Sequence, residues 1–260
     1  MKTKNKKILI NMCLIGVFSA LCYVGALINI PIPSPLGKPM IHLGNLIVVI
    51  AALLFGGPVG GISGSIGMGL YDIINGYDIW SITRTIILKL VMGLIVGFIY
   101  HNLIKKENKK PLYILYATGG FLTVVGATFL ILALLSDGEF VISTVSKSIP
   151  ITISWPVYVF SLIMGIFLLL VSFLSKKFSN KLQAASIATS IAICVNIFGE
   201  FIYKILKTMI VGGSDFISSL YLAIASIPST LINGGITLCI ALLIFIPIET
   251  AITKKISNRL

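Results

Sequence analysis

WSITRTIILKLVMGLIVGFIYHNLI, residues 80–104, is the stretch whose reading decides the fold. Past Lys89 it runs 11 residues, Leu90 to Tyr100, without a charged or amide side chain. As a helix its 25 residues extend about 37 Å at 1.5 Å per residue, more than the ~30 Å of hydrocarbon in a bilayer. Similar apolar stretches lie at residues 8–30, 41–56, 59–76, 112–135, 153–174, 184–210 and 219–246, which makes eight in all. Residues 41–56 and 59–76 are short, and Gly56-Gly57-Pro58 joins them tightly. They form either a short spanning hairpin or a re-entrant pair. No soluble domain is left over. The expected fold is all-α: a polytopic membrane helix bundle of about eight hydrophobic segments, forming a single integral membrane domain over residues 1–260.

Composition agrees. The chain is 57% hydrophobic and only 11% charged, against about 25% charged in soluble domains. The formal net charge of +12 suggests a nucleic-acid binder until its placement is read. Fourteen of the 20 basic residues fall in four clusters between apolar segments: Lys2/Lys4/Lys6/Lys7, Lys105/Lys106/Lys109/Lys110, Lys176/Lys177/Lys181 and Lys254/Lys255/Arg259. The segments between successive clusters number four, two and two, all even, so every cluster falls on one side. The positive-inside rule makes that side cytoplasmic, with both termini there. Charge does not separate six true crossings from eight, because a re-entrant pair leaves the parity unchanged. Outside the clusters and their neighbours Glu107 and Glu249, six bases meet six acids. The whole excess is therefore a topology signal that also suits anionic lipid, and no nucleic-acid partner is expected. The run at 8–30 is longer than the 7–15 residues of a signal-peptide core and is expected to remain as the first span.

This topology gives the polar residues a depth, and they gather near the outer side. His42 and Asn45 open the second segment, and Asp72 and Asn75 close the third. Tyr77, Asp78, Trp80 and Arg84 continue into the fourth, with Lys89 deeper. In the seventh, Asn196, Glu200, Tyr203, Lys204 and Lys207 share one helical stripe; Ser226, Ser229, Thr230, Asn233 and Thr237 do so in the last. An intramembrane charge costs at least ~2.5–3.5 kcal/mol, so these groups should face a cavity or one another. The expected binding set is His42, Asn45, Asp72, Asn75, Tyr77, Trp80, Arg84, Lys89, Glu200, Tyr203 and Asn233. Arg84 and Lys89 stand about 140° apart around a helix, so they should not point equally at one ligand. The bland reading of each residue is snorkelling, an interfacial aromatic belt or helix-to-helix bonding.

The loop 31–39 holds four of the ten prolines and cannot be helix; it is either a lid or a plain connector. The glycine run from Gly56 to Gly69 has no P-loop ending and does not fit G-x-G-x-x-G. Gly56/Gly60/Gly64 and Gly57/Gly61/Ser65/Gly69 instead place small residues every fourth position, which suits close helix packing. Gly16 and Ala20 form another small pair on the first segment, a contact surface for another helix or a partner. Cys13, Cys22, Cys194 and Cys239 lie within segments and read as small core residues. With only His42 and His101 as histidines, neither a metal cluster nor a catalytic constellation stands out. No enzyme activity, cofactor or metal is expected.

The order of motifs resembles a known family. Met40-Ile41-His42-Leu43-Gly44-Asn45, then Leu53-Leu54-Phe55-Gly56-Gly57-Pro58, then Gly60, Gly64, Asp72 and Gly76, is similar to the early part of substrate-binding S components of energy-coupling factor (ECF) vitamin transporters. The nearest subgroup is riboflavin-transporter-like and includes hydroxymethylpyrimidine and pyridoxine carriers. Gly199-Glu200-Phe201-Ile202-Tyr203 and Ser226-Ile227-Pro228-Ser229-Thr230-Leu231-Ile232-Asn233-Gly234-Gly235 resemble its last two helices. The resemblance covers residues 8–105 and 183–248, a six-helix core, and leaves 112–174 as an inserted helical pair. It implies a multi-pass protein of the cell membrane, a bacterial plasma membrane, that binds a small water-soluble vitamin or precursor from outside. It also implies a membrane scaffold subunit, met by Gly16 and Ala20, and two separate ATPase subunits that drive release. The competing readings are a proton-coupled secondary transporter using Asp72 or Glu200, and a membrane enzyme or assembly factor.

Overall fold

The computed structural model describes residues 2–31, 40–105, 111–135, 139–143, 148–152, 155–174, 177 and 179–257. Each of the eight apolar segments contains a helix: α1 (Lys2–Leu27), α2 (Gly44–Phe55), α3 (Gly57–Ile74), α4 (Ile79–Lys105), α5 (Tyr113–Leu135), α6 (Trp155–Leu174), α7 (Asn180–Ile210) and α8 (Phe216–Ser257). Among the described residues, four stretches are long and apolar enough to cross a membrane: Asn5–Leu27, Ile79–Lys105, Asn180–Ile210 and Phe216–Ala251. The chain is an all-α, multi-pass membrane bundle.

Two small antiparallel hairpins interrupt it. Strand β1 (Asn29–Pro31) pairs with β2 (Met40–His42), and β3 (Glu139–Ser143) pairs with β4 (Ser148–Thr152). The first pair trims the expected segments at 8–30 and 41–56. The reason is local: Asn29 turns its side-chain amide back onto the carbonyls of Ala26 (2.9 Å) and Leu27 (3.1 Å), which ends α1. Pro31 then removes a backbone donor at the strand's end, where such a loss is tolerated. Residues 32–39, most of the expected lid or connector, lie outside the described residues.

α2 has 12 residues and a length of about 18 Å, too short to cross hydrocarbon alone. It packs against α1, α3, α4 and α8, with Val48, Val49, Ala51, Ala52 and Leu53 all but inaccessible. Short elements at membrane depth are tolerated where protein surrounds them, and α2 is the centre of the core. At its end Gly56 adopts φ +100°, a conformation that side chains resist. That turn lets α3 fold directly back along α2.

The glycine run does pack helices. A Cβ on Gly60 would lie 2.6 Å from the Cβ of Ala52 on α2. On the neighbouring face, a Cβ on Gly57 would lie 2.9 Å from the Cα of Leu94, and one on Gly61 2.7 Å from the carbonyl oxygen of Leu90, both on α4. Ser65, next along that stripe, donates to the Ile86 carbonyl at 2.7 Å. One face of α3 thus fits α2 and the other fits α4.

α1, α4, α7 and α8 run alternately. The end of α1 meets the start of α2, since Leu43 N donates to Gly25 O at 2.9 Å. The starts of α4 and α8 and the end of α7 lie at that same end of the bundle. At the other end Lys181 of α7 pairs with Glu249 of α8 at 2.5 Å, and Tyr100 of α4 stacks edge-on against Phe245 of α8 at 5.4 Å. The described basic residues Lys105 and Lys181 belong to this second end. α5 and α6 pack on each other and touch the rest through α7 and α8. Cys22 is in the core, whereas Cys13 and Cys194 are exposed on the bundle's outside, which corrects the expectation of four core cysteines.

Gly61→Leu should destabilise the bundle by at least about 1–3 kcal/mol through overpacking, read as a lowered unfolding temperature in detergent. Gly16→Leu is the matched control: a Cβ there meets nothing within 4 Å, and the isolated chain should unfold as before.

Candidate functional site

At the end of the bundle away from Lys105 and Lys181 lies a cavity of ≈ 390 Å³. That is within the range of small-molecule pockets, about 300–1,000 Å³. Its wall comes from β2, the start of α2, the end of α3, the turn into α4, and facing stretches of α4, α7 and α8. Ten of the eleven expected binding residues line it: His42, Asn45, Asp72, Asn75, Tyr77, Arg84, Lys89, Glu200, Tyr203 and Asn233. Trp80 does not. It is 39% exposed and sits one residue, about 100°, before Ser81, which does line the cavity. Trp80 is corrected to an outward-facing residue.

The antiparallel helices α4 and α7 build one wall as a ladder. At the rim Ser81 meets the Tyr203 hydroxyl at 3.2 Å and receives a hydrogen bond from Lys207 at 3.2 Å. One turn deeper Arg84 pairs with Glu200 at 3.0 Å, its guanidinium carbon 5.1 Å from the centre of the Tyr203 ring. Deeper still, Lys89 donates to the Asn196 side chain at 3.0 Å. The expected 140° conflict between Arg84 and Lys89 does not keep either out. Each long side chain meets its own rung of α7, and both rungs border the same space.

α3 contributes Asp72, which accepts a bond from the Thr85 hydroxyl at 2.5 Å; Thr85 in turn accepts from Arg84 at 3.1 Å. A carboxylate, a hydroxyl and a guanidinium thus form a continuous chain into the Glu200 rung. Lys204 turns the other way and donates to the Ser226 carbonyl on α8 at 3.2 Å.

β2 closes part of the wall and is held from α8. The Asn233 amide donates to Met40 O at 3.3 Å and its oxygen accepts from His42 N at 3.5 Å. Asn233 therefore positions a strand as well as bordering the cavity. His42 Nδ1 accepts from Gly44 N at 3.1 Å, which leaves the proton of the neutral ring on Nε2.

The residues that the expected set left out are Met40, Met68, Gly76, Asp78, Ser81, Thr85, Asn196, Lys204, Lys207, Ser229 and Thr230. A usable signal existed for several. Ser81 and Thr85 fall at helical spacing with Lys89 on one face of α4, and Asn196, Lys204 and Lys207 belong to the stripe already seen on α7. Met40 and Met68 carry no such signal.

Comparison with known proteins places the chain in a family context. The sequence model of a family described as "ECF-type riboflavin transporter, S component" matches residues 6–155. The match runs past residue 105 through α5 and stops before α7 and α8. A Pyrococcus woesei protein described as "Uncharacterized protein in gap 3'region" is 39% identical over 72 residues, which is 28% of this chain and 46% of that protein. The chain thus spans less than half the length of that relative. No solved structure matches the chain.

Asp78, in the turn before α4, caps that helix by accepting from Ser81 N at 3.2 Å and also pairs with Lys207 at 2.6 Å. Burial alone would raise its carboxyl pKa; the bonds from Lys207 and Ser81 outweigh that and hold it at about 2. A depressed carboxyl stabilises the fold above its unfolded value, about 3.9, and the contribution fades as pH falls through 2. Asp78→Ala should cost about 1 kcal/mol, chiefly as a lost cap, because the ion pair is half exposed and weak. Thermal unfolding of the two proteins at pH 7 measures it.

Proposed function

The chain belongs to the family of ECF-type riboflavin transporter S components, and on that premise we propose that it is the membrane subunit that captures a small water-soluble vitamin or precursor for an ECF-type importer. Membership makes it a substrate-binding transporter subunit of a transporter family, not of an enzyme family. The observation that carries the finer reading is the cavity. Side chains from five helices and a strand converge on one polar space in a chain that is otherwise 57% hydrophobic. Its volume suits a compound between pyridoxine or hydroxymethylpyrimidine and riboflavin in size.

In this reading the cavity opens to the outside of the cell membrane and the basic end faces the cytoplasm, as the positive-inside rule orders them. His42, Asn45, Asp72, Asn75, Tyr77, Arg84, Lys89, Glu200 and Tyr203 contact or orient substrate, while Asn233 holds β2 in place. Energy comes from separate ATPase subunits through a membrane scaffold subunit. Gly16 and Ala20 support a docking face for that scaffold: both are exposed on α1, and a Cβ added at Gly16 would meet nothing within 4 Å.

The proton-coupled alternative finds less support. Glu200 is tied to Arg84 in an ion pair, which opposes its use as a proton carrier. Uptake into liposomes by this chain alone, driven by a pH gradient, would establish that alternative.

Purified protein should bind at least one member of a panel of water-soluble vitamins, measured by calorimetry in detergent. Absence of binding across the panel sinks the proposal. Asn233→Ala, which releases the clasp on β2, should weaken that binding about tenfold or more. Gly16→Leu and Ala20→Leu should leave substrate affinity unchanged and abolish co-purification with the scaffold and ATPases when all are co-expressed.

A further inference from the structure

Several buried donors of the cavity wall have no acceptor. Lys89 is 4% exposed, and among the described residues its only bond is to the Asn196 side chain. Lys204, 8% exposed, likewise has only the Ser226 carbonyl. An ammonium carries three donors, so each lysine has two unused, and no carboxylate forms an ion pair with either. Arg84 Nε is buried without a partner. His42 adds its Nε2 proton. Asn45 Oδ1 is a buried acceptor without a donor.

Charge leans the same way. At the rim Lys207 and Asp78 neutralise each other. Within, Arg84, Lys89 and Lys204 face Asp72 and Glu200, which leaves one positive charge in excess. An uncompensated buried charge is costly. A single negative charge on the ligand removes the excess and supplies acceptors for the idle donors. A neutral ligand leaves the excess in place, and a phosphate monoester, at about −1.5 to −2, overshoots it.

We propose that the ligand is a monocarboxylate, its carboxylate received by the Lys89 ammonium, with Lys204 adding its positive charge to the same cavity from the α8 side. Asn45 Oδ1 accepts from an N–H or O–H on the ligand's other part. This inference rests on the substrate-binding reading above and narrows it, away from neutral vitamins such as riboflavin and toward acids.

The test is calorimetry of the full chain in detergent with matched probes: nicotinate against nicotinamide, pantothenate against panthenol, biotin against biotinamide, and riboflavin against its phosphate monoester. At least one acid should bind, about tenfold or more tighter than its neutral counterpart. In Lys89→Gln and Lys204→Gln proteins that elute as wild type in size exclusion, the preference should shrink at least threefold. Binding of a neutral probe as tightly as its acid, or of the flavin phosphate alone, overturns the monocarboxylate while leaving the transporter subunit intact. A preference that survives both lysine substitutions also overturns it. Failure of every probe, together with failure to co-purify with scaffold and ATPases, overturns the substrate-binding reading itself.

Discussion

The close contact of α3 with α2 and α4 sets the rest of the structure. Gly60 lets α3 touch α2, and Gly57 and Gly61 let it touch the backbone of α4. No side chain larger than hydrogen fits at Gly61 without displacing the Leu90 carbonyl. This fixes both the depth and the rotation of α4 relative to α3. Toward the cavity the same interface changes character: Ser65 bonds a carbonyl of α4, and then Asp72 bonds the Thr85 side chain. The register imposed by glycine at one end therefore decides which polar groups meet at the other.

α7 then reads that register from the opposite side. Three rungs join it to α4, each with a different chemistry: hydroxyl and ammonium at Ser81, Tyr203 and Lys207; ion pair at Arg84 and Glu200; ammonium and amide at Lys89 and Asn196. Only the middle rung cancels charge inside the cavity. The ladder thus holds the wall rigid and still leaves the space with a net positive charge, a combination suited to a site that waits for its ligand.

Much of this was legible in the sequence because hydrocarbon is an unforgiving solvent. Long apolar runs have one outcome there, and all eight contain helices. Polar residues inside such runs have few places to go, so Asp72, Arg84, Lys89 and Glu200 were bound to converge. What escaped was decided by single side chains rather than by pattern. Asn29 ends α1 through its own amide, and nothing in composition announces that. Trp80 and Ser81 are neighbours in sequence with opposite fates, which only the exact phase of α4 settles. Asn233 looked like a ligand contact and is also the clasp on β2, a role visible only once the strand exists. Met40 and Met68 line the cavity as apolar residues in an apolar chain, indistinguishable from core.

The ladder also has an order in time. Asp72 and Thr85 are 13 residues apart, so their bond can form as soon as the α3–α4 hairpin has been made. The partners of Arg84 and Lys89 on α7 come 116 and 107 residues later. During synthesis, α4 is complete before α7 has left the ribosome, with two cations whose final partners do not yet exist. The glycine contact with α3 and the Asp72–Thr85–Arg84 chain are the means the hairpin has, until then, of holding a doubly charged helix at its proper depth. Assembly of the cavity is thereby a late act of insertion: α7 brings the carboxylate that meets the waiting guanidinium, and α8 then closes the wall with Asn233 clasping β2.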